Sequence, residues 1–334
     1  MSVGFIGLGH VGTKLAKNLL ESGYPLAVLD LQREAAQPLL MAGARWGETP
    51  RSLAESVDIL ITCLPNPAAS AAVLEDPGGA LEGFSDGKYW LEMSTTDSKE
   101  VRRLGQKVRD RGAWPADCPV SGGCHRAATG NISIFAGCER PVFETIFPVL
   151  SHMGREILHT GELGSASILK VLTNYLATAN LVSLCEALVT AQGSGMNLAT
   201  TYEAIRISSG NSFVHETESQ VILNGSRDIN FTMDLVLKDI TLFQNLADQK
   251  NIPLELSPLL IEIFKDAAQR YGEREWSPNV IRRLEDATGS QITASGFPAE
   301  MVDYEQREQG REVFPKDQTA KAAPAPDPAL KGPQ

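Results

Sequence analysis

The chain begins with an apolar run, residues 3–7, that enters the pattern Gly7-x-Gly9-x-x-Gly12 and passes directly into a helical period over residues 11–22. Placed between a strand and a helix, each glycine has a physical task. The first permits a tight turn, the second leaves room for a pyrophosphate against the backbone, and the third lets the helix pack closely on the strand. Three glycines at this spacing also occur in ordinary turns, so context decides. Here the next apolar run, residues 26–30, ends on Asp30, at about the spacing of the acid that binds an adenosine ribose. The pattern predicts a dinucleotide site formed by Gly7, Leu8, Gly9, His10, Val11, Gly12 and Asp30. A carboxylate there repels a 2′-phosphate and favours NAD over NADP, although Arg33 could accept that phosphate if it is more than a solvated first-turn residue.

Two more apolar runs, residues 59–64 and 89–93, stop at Pro65 and at Ser94-Thr95-Thr96. They read as strands with loops at their carboxyl ends, where open α/β sheets bind ligands. From about Gly161 the alternation gives way to helical periods over residues 165–193, 197–208, 233–250 and 257–271. A length of 334 residues suits two cores better than one. The expected organisation is a parallel sheet wrapped by helices over residues 1–160, an all-helical domain over 161–290, and an extension over 291–334. From residue 315 the extension is dominated by Pro, Ala, Lys and Asp, a composition that predicts disorder and tolerance of deletion.

Acidic residues outnumber basic ones by 41 to 30, a net charge of −11, and no basic stripe is present, which excludes nucleic acid as a partner. The five cysteines are scattered without a C-x-x-C pair, so neither a disulfide framework nor a zinc site is expected, and a reducing, cytoplasmic setting is. The N-terminal residues lack a basic segment before their apolar run and read as structure rather than as a targeting signal. Residues 168–191 are apolar enough to suggest a membrane span but carry Lys170, Asn174, Asn180 and Glu186, so a buried helix is expected and no membrane partner.

That helix presents Ser167, Lys170, Asn174 and Thr178 on one face among apolar neighbours. A polar stripe of this kind must be hydrogen-bonded or line a wet cleft, because an unpaired buried ammonium is costly. Taken alone, Lys170 can simply snorkel to solvent. Beside a dinucleotide motif it gains a second role, since hydride transfer to or from a hydroxyl-bearing carbon needs a group that exchanges the hydroxyl proton.

With these residues in hand the chain resembles the 3-hydroxyisobutyrate dehydrogenase, or β-hydroxyacid dehydrogenase, family. The resemblance spans about residues 2–290 and rests on four ordered motifs: Gly4-Phe5-Ile6-Gly7-Leu8-Gly9-His10-Val11-Gly12, Asp117-Cys118-Pro119-Val120-Ser121-Gly122-Gly123, Gly161-Glu162-Leu163-Gly164 leading to Lys170 and Asn174, and Lys238-Asp239. It implies an N-terminal Rossmann doubly wound parallel sheet joined by a long interdomain helix to a C-terminal all-α domain. It further implies a small hydroxy acid as substrate, an interdomain active site and a homodimer or homotetramer. By the same resemblance Ser121, Gly122 and Gly123 hold the substrate carboxylate, Lys170 is the catalytic proton donor and acceptor, and Asn174 orients substrate. Leu64, Pro65 and Thr95 line the nicotinamide half of the cofactor, and Lys238 stands at the cleft.

The implied activity is NAD-dependent oxidation of a small 3-hydroxy acid. An imine reductase of the same fold is a rival that Lys170 argues against, and a non-catalytic NAD-binding regulator would not require the polar face. Hydroxysulfonates, tartronate semialdehyde and sugar acids are alternative substrates. Family members usually carry glycine where this chain has Arg126, which gives that arginine two readings. It presents a planar fork to a second anionic group of the substrate, or it pairs with a surface acid. The apolar surface of the Lys170 helix exceeds what a small domain covers, so a partner copy is expected against it.

Overall fold

The structure is a computed structural model that describes residues 1–317. Of the tail expected to be disordered, residues 318–334 lie outside the described residues. The first half alternates strands and helices: β1 (Val3–Ile6), α1 (Gly12–Glu21), β2 (Leu26–Leu29), α2 (Arg33–Met41), β3 (Arg45–Trp46), α3 (Pro50–Ser56), β4 (Ile59–Thr62) and α4 (Pro67–Glu75). It continues through β5 (Tyr89–Glu92), α5 (Ser98–Arg109), β6 (Trp114–Asp117), β7 (Val120–Ser121), α6 (Gly123–Thr129), β8 (Ile132–Gly137), α7 (Arg140–Met153) and β9 (Gly154–Gly161).

The four residues of β1 and of β4 are all buried, as strands covered on both faces must be. One apolar layer contains Leu15, Leu19, Phe143 and Ile146, and the other contains Leu53, Trp90, Val101 and Leu104, so the sheet is wound on both sides. Across the sheet the order is β9-β8-β6-β5-β4-β1-β2-β3, with β7 paired to β8. Strand order reverses at β1, which has β2 on one side and β4 on the other, and the glycine loop leaves that switch point. The sheet departs from an all-parallel one where β8 pairs with β6 and with β7. After β6 the chain turns through β7 and α6 without a crossover to the far side, so β8 runs antiparallel to β6.

The second half is helical: α8 (Ser165–Gly193), α9 (Leu198–Arg206), α10 (Phe213–Asn224), α11 (Met233–Asp248), α12 (Leu256–Tyr271) and α13 (Arg282–Thr288). Its core joins Leu181, Leu184 and Leu188 of α8 to Ile240 of α11 and Phe264 of α12. Helix α10 has no counterpart among the expected elements. It is buried on several faces, through Val214, His215, Ser219, Val221 and Ile222, which erases an amphipathic period, and its N-cap Ser212 is the surviving signal.

Helix α8 is long and apolar enough to cross a membrane by composition, but it is the element on which both domains pack. The expectation that it is buried holds for one side only, because Leu172 and Leu176 are 37% and 58% exposed.

The extension is not structureless before residue 314. Ile292 enters the helical core, Ala294 N–H donates to Leu223 O (2.8 Å), and Asn224 Nδ2 donates to Phe297 O (2.8 Å). The chain then crosses to the first domain, where Asn131 Nδ2 donates to Asp303 Oδ2 (2.8 Å) and Gly310 N–H to Ser151 O (2.9 Å). It ends in a short strand, β10 (Arg311–Val313), added in parallel to β9. Residues 291–313 thus form a strap between the two domains.

Candidate active site

The glycine loop has the geometry its spacing predicts. Gly7 sits at φ +97°, and a Cβ there would stand 2.3 Å from Cys63 O; a Cβ on Gly12 would stand 2.0 Å from Gly7 O. Gly9 differs, because a Cβ on it meets nothing within 4 Å. Two of the glycines are therefore required by the chain itself, and the middle one borders open space. Helix α1 begins there with no side-chain cap, and a helix start of this kind suits an anion. Asp30 is fixed at the end of β2, its Oδ2 accepting from Leu8 N–H (2.6 Å) and its Oδ1 from Gln32 N–H (2.9 Å). An uncapped helix start, an open glycine and an adjacent carboxylate fit a dinucleotide. Arg33 lies 5.1 Å above the Trp46 ring, and Leu31, which no sequence pattern singles out, is fully exposed next to Asp30.

Leu64 N–H donates to Ser94 Oγ (2.7 Å), which joins the loops after β4 and β5. Across the cleft, the His10 ring meets Trp276 of the helical domain edge-on at 5.6 Å.

Lys170 is 7% exposed, and its Nζ donates to Asn174 Oδ1 (2.7 Å). Asn174 Nδ2 donates in turn to Asp239 Oδ2 (2.5 Å), and the other oxygen of Asp239 is ion-paired with Lys238 Nζ (2.8 Å). Lys238 also donates to Thr95 O (2.8 Å), which fastens α11 to the loop after β5. Lys170, Asn174, Thr95 and Lys238, named separately from sequence, form one connected network, and Asp239 is its missing centre. The Lys238-Asp239 pair is visible in the sequence as a motif, but nothing beside Asp239 in the sequence gives the acid a role. Burial pulls the Lys170 ammonium down from its ordinary range to about 8; Asp239 opposes that shift and Lys238 adds to it. Thr178 turns its hydroxyl back to Asn174 O (3.0 Å), a bond within its own helix.

A second unassigned acid places α8. Buried Asp117, at the end of β6, accepts from Gly164 N–H (2.7 Å), Ser167 N–H (2.7 Å) and Ser167 Oγ (2.9 Å). Burial raises its carboxyl above the ordinary range against the pull of these donors. The bond docks the start of α8 on the carboxyl end of the sheet, with Lys170 one turn beyond. Ser121 ends β7, and Gly122 and Gly123 follow at φ +127° and +84°, conformations that L side chains rarely adopt. Arg126 lies beside this loop: its Nη2 pairs with Glu305 Oε1 of the strap (3.0 Å), and its guanidinium stands 5.0 Å over the Phe213 ring.

A Rossmann sheet with a free glycine cradle, joined through one long helix to a buried lysine network, defines an NAD(P)-dependent dehydrogenase. Residues 2–161 match the family model described as the NAD binding domain of 6-phosphogluconate dehydrogenase, and residues 164–284 match that described as NAD-binding of NADP-dependent 3-hydroxyisobutyrate dehydrogenase. The chain is 33% identical to 2-(hydroxymethyl)glutarate dehydrogenase of Eubacterium barkeri, over 88% of this chain and 98% of the relative. It is 32% identical to an NAD-dependent L-serine dehydrogenase of Pseudomonas aeruginosa, over 86% and 99%. A crystal structure of 3-hydroxyisobutyrate dehydrogenase from Salmonella typhimurium superimposes with a TM-score of 0.78 at 26% identity, covering 85% of this chain and 99% of that one. The chain belongs to the 3-hydroxyisobutyrate dehydrogenase family and is an NAD(P)-dependent hydroxyacid dehydrogenase. The matched models end at residue 284, so the strap lies beyond them.

Proposed function

We propose that the protein oxidises the hydroxyl of a small 3-hydroxy acid with NAD, and that Lys170 exchanges the proton. The observation that carries the reading is the buried amine of Lys170, held by Asn174 and lowered to about 8, so that both protonation states are accessible near neutral pH. Bound nicotinamide supplies the two-electron acceptor for the hydride on the hydroxyl-bearing carbon. As that hydride leaves, the hydroxyl proton moves to Lys170 Nζ and the carbon becomes a carbonyl; in reduction the ammonium returns the proton to the developing alkoxide. Asn174, held by Asp239, keeps the amine in place, and the Ser121–Gly123 loop receives the substrate carboxylate on its backbone N–H groups. The relatives' named substrates, 2-(hydroxymethyl)glutarate and L-serine, both carry a hydroxymethyl group one carbon from a carboxylate, which supports this substrate class.

Asp30 supports NAD as the preferred cofactor, and exposed Leu31 beside it offers an apolar wall for the adenine. The exposed leucines of α8 support assembly as a homodimer, and five free cysteines suit a reducing cytoplasm. A panel of 3-hydroxy acids assayed by reduced-nicotinamide absorbance with NAD and NADP tests the activity. Lys170→Met should cut kcat by about 100-fold or more, and near-normal turnover in that variant would refute the proton role.

A further inference from the structure

The strap brings carboxylates to Arg126, beside the substrate loop. A recess of about 350 Å³ lies between α6, α10 and residues 301–305, and its wall carries Arg126 with Glu216, Asp303 and Glu305, one guanidinium among three acids. Arg126 starts in the right place to serve a substrate, because its Cδ would stand 3.3 Å from a Cβ on Gly122 of the Ser121–Gly123 loop. Its charged end is already engaged with Glu305 Oε1.

Glu305 is itself held in place from several sides. Its Oε2 pairs with Arg155, its N–H donates to Asp303 Oδ1 (3.0 Å), and its carbonyl accepts from Asn131 Nδ2 (3.1 Å). Asp303 also accepts from the Thr129 hydroxyl and from Asn131 Nδ2, so the strap is tied to the end of α6, the helix that the substrate loop leads into.

We infer that Glu305 is a specificity-determining residue, an internal carboxylate that occupies Arg126 and excludes hydroxy acids bearing a second anionic group. A dianionic ligand would have to displace a tethered carboxylate from Arg126 and approach Asp303 and Glu216, whereas a monoanionic ligand needs only the backbone of the loop. The inference rests on the proposed role of the Ser121–Gly123 loop, and it makes Arg126 a latent rather than an active anion site.

The test is calorimetric binding of butyrate and glutarate to the NAD-saturated protein, which requires no turnover. Wild type should bind glutarate no more tightly than butyrate. Glu305→Gln, which keeps the side chain's size, should gain about tenfold or more for glutarate, the worth of one charge-assisted pair, with butyrate within about twofold. The gain should vanish in the double variant Glu305→Gln/Arg126→Gln. Glutarate already tenfold tighter in wild type, or a glutarate affinity that Glu305→Gln leaves unchanged, overturns the inference. An equal gain for both acids overturns it too, as the signature of a loosened strap. If neither acid binds wild type or any variant, the loop's role is overturned as well, so the two readings fail by different results.

Discussion

Burying an ammonium beside a carboxamide makes Lys170 useful and costly at once. Its folded value of about 8 lies below the ordinary 10.5, so as pH rises the native state releases this proton before the unfolded state does. Between about pH 8 and 10.5 the unfolded chain binds more protons, and stability rises with pH across that window. Below pH 8 both states carry the charge and the native state bears its desolvation. Lys170→Met should therefore be more heat-stable than wild type at pH 7, by about 1–3 kcal/mol, with the advantage shrinking towards pH 10. Thermal melts at the two pH values check this, and a Met variant less stable than wild type at pH 7 would contradict it. Oxidative kcat/KM of the wild type should climb through about pH 8 as the neutral amine forms. Gly9 allows a cleaner separation of fold from function. Because a Cβ there meets nothing within 4 Å, Gly9→Ala should leave the melting temperature of the cofactor-free protein within a few degrees, while the stabilisation that NAD gives wild type is reduced. A large fall in the cofactor-free melt would show that Gly9 serves the fold.

Helix α8 is the element that turns two domains into one site, and Asp117 sets where it begins. Gly164 at φ +86° turns the chain into the helix, and the Asp117 carboxylate satisfies two backbone N–H groups and a hydroxyl of its first turn. Asp117→Ala strands those donors in a buried place and should cost about 2–4 kcal/mol. The loss should appear as a lower unfolding midpoint together with reduced kcat, since Lys170 lies one turn beyond the bond. Asp117→Asn keeps one acceptor and should fall between, whereas an unchanged midpoint in Asp117→Ala would mean that the rest of the interface positions the helix unaided. The same helix leaves Leu172 and Leu176 uncovered on its other side. Wild type should scatter light as a dimer, and the double variant Leu172→Glu/Leu176→Glu should scatter as a monomer. A monomeric wild type at micromolar concentration would remove the proposed interface.

At the scale of the whole molecule, the local signals were those whose physics is local. Gly7, Gly9 and Gly12 could be read from sequence because a tight turn, an open approach and a close packing contact are set by a few adjacent residues. The strands of the first domain showed themselves as short apolar runs, since a strand buried on both faces has no polar residues to interrupt it. Lys170 and Asn174 were visible as a one-turn pair on an apolar helix, and the α/β-then-α division followed from the change of period near residue 161. Contacts between distant segments left no such trace. Asp239 joins Asn174 across 65 positions and Asp117 joins Ser167 across 50, and nothing beside either acid in sequence announces its partner. The strap was hidden for the same reason: Asp303 and Glu305 look like a solvated acidic stretch until folding sets them against Asn131, Arg126 and Arg155. For Arg126 the sequence left a choice between a substrate anion and an acid of the chain itself. Only the tertiary structure placed Glu305 against it, because a salt bridge 179 positions apart depends on where the strap settles on the first domain and not on either segment alone.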